Sequence, residues 1–234
     1  MRTVVGIAMA LGLTATAHAA DLTVPPPEPA PIAAYNWTGL YIGVHGGYGF
    51  GDFSSAPTDA YDGLKPDGFF GGGQAGYNYQ FANNVVLGIE ADVSFGDLKD
   101  NLSSQLGDPQ EALFDLGYAT KIDTFGTVRA RAGYAFDRFL PYVTGGLAWG
   151  RAQLDFENTI TVDGDVMVHN AASDKQTFTG WTVGAGLEYA VTNNVTAKLE
   201  YLYADLGSQD FDLGTPVPGD LTLQTVKFGL NYKF

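Results

Sequence analysis

A search for chemistry starts with histidine. The chain carries His18, His45 and His169, and it has no cysteine. Acyl transfer by a Ser/His/Asp arrangement needs the three groups within hydrogen-bond reach of one another. Ser173 and Asp174 follow His169 closely, but the stretch that holds them reads as a long acidic loop. A loop of that kind does not hold a triad, and the three read as solvated residues. His45 falls on the polar side of an alternating run and reads as an interior hydrogen-bonding residue, not as a base or a haem ligand. One axial ligand without a pocket identifies nothing. Asp163-Gly164-Asp165 hints at calcium but lacks the full ligand pattern of a calcium loop. The absence of cysteine removes thiolate nucleophiles and any disulfide framework. No catalytic residue, cofactor or metal ligand is assigned, and the chain reads as a non-enzyme.

The residues that remain are isolated charges: Glu90, Asp92, Arg129, Arg131, Glu188, Lys198, Glu200 and Lys227. Each sits among Gly, Thr, Gln and Asn on one side of an alternating run whose other side is apolar. Charges inside a narrow enclosure are costly unless paired, so these residues are expected to form an interior charged network.

The elements that must position them are strands. From Gly180 to Gly207 the chain reads as two alternating runs joined by Thr192-Asn193-Asn194. Trp181, Val183, Ala185, Leu187 and Tyr189 share one face going up; Ala197, Leu199, Tyr201 and Tyr203 share it coming back. Side chains of a strand alternate faces with period two, so this is a β-hairpin with one apolar and one polar side. If the joining residues form a three-residue loop, Val191 pairs with Val195 and Glu188 lies opposite Lys198. Close to the turn, water should reach that pair and keep its contribution small. Six further segments show the same alternation: Leu40 to Phe50, Phe69 to Phe81, Val85 to Phe95, Ile122 to Phe136, Phe139 to Trp149 and Leu223 to Phe234. Ala82-Asn83-Asn84, Asp137-Arg138 and Thr192-Asn193-Asn194 are tight connections. The links near residues 51–68, 96–121, 150–176 and 207–222 read as long loops that hold most of the acids. Short turns at one end and long loops at the other fit an all-β, eight-stranded antiparallel transmembrane up-and-down β-barrel.

Composition supports lipid outside over core inside. The polar face is mostly Gly, Thr, Gln and Asn, which suits a narrow filled interior better than a solvent face. Tyr and Trp gather toward segment ends, as in interfacial girdles. No apolar run approaches the roughly 20 residues of a spanning helix, so a bilayer crossing needs a closed barrel. The formal net charge of −14 argues against nucleic-acid binding. Residues 1–19 read as a signal peptide, with Arg2, the apolar run Val4 to Leu13 and Ala17-His18-Ala19. Residues 20–38 contain PPPEPAP and read as a Pro-rich periplasmic linker, leaving residues 39–234 for the barrel.

Four segments carry a resemblance: YNWTGLYIGVHGGYGFG from Tyr35, LPYVTGGLAWG from Leu140, the hairpin from Gly180, and the terminal VKFGLNYKF. In order, they resemble the porin-family outer-membrane proteins of alphaproteobacteria, a group that includes major surface immunogens and is similar to the OmpA barrel. The resemblance implies location in the cell outer membrane of a Gram-negative bacterium. It implies contact with outer-membrane lipid and lipopolysaccharide, and a terminal aromatic, Phe234, similar to the insertion signal met by the barrel-assembly machinery. The function expected is that of a barrel with surface-exposed acidic loops, contributing to envelope structure and to interaction with a host or surface ligand. The alternative is a small porin or haem-binding uptake protein.

Overall fold

The alternation becomes eight strands, several of them longer than the pattern marks. The computed structural model describes residues 35–54, 64–108, 112–163, 165–212 and 216–234. The predicted signal peptide and the PPPEPAP run lie outside the described residues, as do Asp59, Asp62, Glu111 and Gly164. The strands are β1 (Gly39–Ser54), β2 (Asp67–Gln80), β3 (Val85–Asp108), β4 (Ala112–Tyr134), β5 (Phe139–Val162), β6 (Asp165–Ala190), β7 (Val195–Asp212) and β8 (Pro216–Lys233). Each pairs antiparallel with the next, and β8 returns to β1, which closes the barrel.

Closure puts the apolar half of each alternation on the outer wall. Phe69 is 80% exposed, Leu147 71% and Val44 and Ile89 65%. A continuous wall of such side chains is stable only against lipid. The other half points into the lumen, where Glu90, Arg129, Lys198 and Lys227 are buried.

The tight turns take the predicted sizes. Asp137 and Arg138 form a two-residue turn closed by reciprocal Phe136 and Phe139 backbone bonds of 2.8 and 3.0 Å, with Asp137 at φ 54°. Ala82 to Asn84 form a three-residue loop that ends with Asn84 in the left-handed region at φ 66°. The Thr192–Asn194 loop sets Glu188 opposite Lys198, as the parity argument requires.

The long links differ from expectation. They are largely strand: the β3–β4 ladder continues to Asp108 and Ala112, and the β5–β6 ladder to Val162 and Asp165. β3 has 24 residues and β6 has 26, where about 9–11 suffice to cross a bilayer. Alternation marks lipid on one face and lumen on the other, and it fades where both faces are wet. The ladder hydrogen bonds hold the hairpins there without it. β-bulges between Ile122 and Thr124 and between Asp205 and Ser208 shift the register at this boundary.

Above the boundary the ring opens. Among the described residues, the β2–β3 pairing ends at Asp67 with Lys99, and the β6–β7 pairing ends at Trp181 with Asp205. β3 to β6 therefore continue as a four-stranded sheet beyond the barrel.

Candidate functional site

The site is the lumen. β3 directs Glu90 and Asp92 inward, β4 Arg129 and Arg131, β6 Glu188, β7 Lys198 and Glu200, and β8 Lys227. All are buried. Four carboxylates thus meet four cations in one cross-section.

Glu90 is the hub. Its Oε1 lies 2.7 Å from Arg129 Nη2, Lys198 Nζ donates to both its oxygens at 2.7 and 2.9 Å, and the Tyr41 hydroxyl donates to Oε2 at 2.7 Å. Asp92 takes Lys227 Nζ at 2.7 Å, Arg129 Nη2 at 3.2 Å and the Thr127 hydroxyl. Arg129 Nη1 lies 3.0 Å from Glu200, which also accepts from the Tyr142 hydroxyl at 2.9 Å. Arg131 donates to Glu188 at 2.7 Å and stacks over the Tyr142 ring at 3.9 Å. Glu188 accepts further bonds from Thr196 at 2.5 Å and Asn231 at 2.9 Å. Gln74 donates to Asn231 and lies 3.2 Å from His45 Nδ1, which brings in β2 and β1. All eight strands contribute.

Two tyrosines reach the carboxylates by the same device. Tyr41 lies across from Gly76, and Tyr142 across from Gly186. A Cβ at either glycine would run into the facing tyrosine ring. The missing side chain gives each ring room to lie along its neighbour strand and extend its hydroxyl to an acid.

The contacts correct one expectation. Glu188 and Lys198 share a register but not an ion pair: Lys198 reaches across the lumen to Glu90, and Glu188 is held by Arg131. The pair was also expected to be wet, and both residues are 1–2% exposed.

Apolar layers lie at both ends of the ionic one, beyond what the alternating segments predict. Toward the long hairpins, Phe53, Leu98, Ile122, Leu154, Phe178 and Phe211 fill the lumen. Leu202, Ala204 and Leu206 run in phase with the inward Lys198 and Glu200, and carrying that parity outward would have revealed the layer. Toward the tight turns, Tyr35 and Trp37 pack with Val86, Ala135, Leu140 and Ala190. Trp37 Nε1 donates to the Asp137 carbonyl at 2.9 Å, Trp37 N to Gln80 at 2.8 Å, and Tyr35 N to the Asp137 carboxylate at 2.9 Å. Tyr35 to Thr38, read as the end of the linker, are thus docked in the mouth. Burial, with the negative charge of Glu188 adding to it, pushes the Tyr35 hydroxyl up to about 12.

The lumen is tightly filled where its layers meet. The cavity where the ionic and outer apolar layers meet is about 10 Å³, bounded by Thr127, Thr182, Thr225 and Lys227 among others; that is space for one water. His45 Nε2 lies 2.9 Å from Ser94, so both ring nitrogens have neighbours. His169 sits on β6, 3.1 Å from Thr159, while Ser173 accepts from Gln153 and Asp174 from Gln176. Those three residues each hold separate partners. Phe234 ends the chain with its ring exposed against Tyr232 and its amide bonded to the Leu40 carbonyl at 3.0 Å.

Comparison with known proteins agrees with this architecture. A family model described as outer membrane protein beta-barrel domain matches residues 6–234. The 31 kDa outer-membrane immunogenic protein of Brucella melitensis is 39% identical, with all of both chains covered. The 25 kDa outer-membrane immunogenic protein of Brucella abortus is 34% identical over 96% of this chain and 93% of its own. The 22 kDa outer membrane protein of Rhizobium leguminosarum is 36% identical over 88% of this chain and 83% of its own.

Proposed function

The chain belongs to the outer-membrane β-barrel family and is an outer-membrane protein of a Gram-negative bacterium, and from that footing we propose that it is a closed, non-enzymatic barrel that displays an acidic β-sheet at the cell surface. It contributes to envelope structure through the barrel and to surface interaction through the sheet. The carrying observation is the lumen: a balanced ionic layer between two apolar layers, with a cavity of about 10 Å³. A porin needs a continuous wet path, and a haem receptor needs a slot far larger than one water. Display at the surface draws support from the Brucella relatives, whose names call them immunogenic.

The reading places the tight turns in the periplasm and the long hairpins outside, following the usual asymmetry of such barrels. Residues 1–19 would direct export, and Phe234 would be read by the barrel-assembly machinery. Planar-bilayer recording of the refolded full chain tests the closed lumen. No steady conductance is expected, and a large steady current would move the function to a pore.

A further inference from the structure

The sheet beyond the barrel ends in an edge strand. From Asp165 to Ser173, β6 takes its ladder from β5 among the described residues. Alternate backbone N–H and C=O groups of such a strand point away from its neighbour, ready to bond another strand. Natural edges are blunted by charge, proline or bulges. The register shifts at Met167, and from Val168 to Ser173 the β5–β6 ladder is regular, with no proline and no Lys, Arg, Asp or Glu. Val166 and Met167 are 62% and 63% exposed.

Beside this edge lies a groove of about 560 Å³. Asp115, Asp155 and Glu157 line it, with the small side chains of Ala171, Ala172 and Ser173 along the β6 side. Ala171 sits opposite Glu157, and Ser173 opposite Asp155. A strand added to β6 would lie two strand spacings from β5, about 9–10 Å. A long cationic side chain on it could pass over Ala171 or Ser173 and meet the carboxylate on β5. The sheet as a whole favours such a guest: its described strand segments beyond the barrel, residues 97–108, 112–123, 150–162 and 165–178, hold nine carboxylates against Lys99, Lys121, Arg151 and Lys175. A second copy would set one acidic sheet against another.

We propose that the free edge of β6 receives an extended basic polypeptide segment as an added strand, with Lys or Arg at alternate positions entering the Asp155–Glu157 groove. Main-chain bonds to the edge supply affinity, and the groove supplies the preference for cations. This deepens the surface-interaction reading and rests on it for its biological setting. The binding itself can be measured in micelles, where both ends of the barrel are accessible, so its failure is separate from a failure of orientation.

The probe is a fluorescent peptide of alternating lysine and valine, titrated against the refolded full chain by anisotropy. Saturable binding is expected. Methylating alternate backbone nitrogens of the peptide should weaken it at least tenfold, as should the double variant Asp155→Asn with Glu157→Gln. Heat-modifiable mobility certifies that the variant is folded. Equal affinity for the methylated peptide would reduce the binding to charge adsorption and overturn strand addition. Equal affinity of the double variant would overturn the groove. No binding to folded protein rejects the proposal, and a concentration-dependent dimer lost on changing Ala171→Lys would give the edge to a second copy instead.

Discussion

Glu90 shows what a single side chain does here. It gathers Tyr41, Arg129 and Lys198 from three other strands around one carboxylate. Removing one partner of a buried ion pair costs roughly 3–5 kcal/mol, because the other charge is left unpaired. Lys198→Met should therefore lower unfolding stability in detergent by about that amount. A double-mutant cycle of Lys198→Met with Glu90→Gln should show a coupling of more than about 1 kcal/mol, in the range for residues in one network. The cycle of Lys198→Met with Glu188→Gln should couple more weakly, since those neighbours in register hold different partners. If the second cycle couples as strongly as the first, the cross-lumen contact is not what Lys198 contributes. The network is not fully satisfied: Nε of Arg129, Nε of Arg131 and Oε1 of Glu200 are buried without a hydrogen-bond partner. Incomplete satisfaction of this kind fits a layer whose value lies in occlusion more than in stability.

Among the elements, the segment before β1 is the one whose role changed most between sequence and structure. Tyr35 and Trp37 close the tight-turn end of the lumen, and Trp37 is 1% exposed. Trp37→Ala should cost about 3–5 kcal/mol, read as an earlier thermal loss of heat-modifiable mobility. Conductance should stay low in that variant, because the ionic layer remains. A steady current would show that the segment, not the ions, is the plug. The sequence hid this because PPPEPAP and its surroundings read as one spacer, and an indole filling a mouth leaves no periodic trace. The strands themselves were legible wherever one face met lipid: the apolar sets of β1, β3, β4 and β8, the turn sizes and the Glu188–Lys198 register all follow from period two. Which cation meets which carboxylate was not legible. Register fixes Cα neighbours along a ladder, whereas long side chains in a lumen choose among strands on the far wall. The outer extensions look like loops in the sequence for a related reason. Pairing between two wet strands has no need of alternation, and Ser, Asn, Asp and Thr satisfy it equally.

For the whole molecule, orientation is the first thing to establish. Protease added to intact cells should cut at the β5–β6 turn near Asp163, which stands at φ 51°, rather than throughout Gln153 to Lys175, where the ladder protects the backbone. Deleting Phe234 should lower the amount of this surface-cleavable protein while leaving its mobility in gels unchanged. Cleavage seen only after the outer membrane is broken would reverse the barrel, and an undiminished yield would remove Phe234 from assembly. The ionic layer has a further consequence in time. Lys198 is 108 residues from Glu90, Lys227 is 135 from Asp92, and Asn231 is 157 from Gln74. Contacts so distant along the chain form late, after the entropy of long loops has been overcome. Until β7 and β8 arrive, Glu90 and Asp92 lack their lysines, and an unfinished sheet carries bare charge on the side that must become dry. The cluster therefore works as a tally of strands: only a ring of the full number, closed in the right order, is electrically quiet enough to rest in lipid.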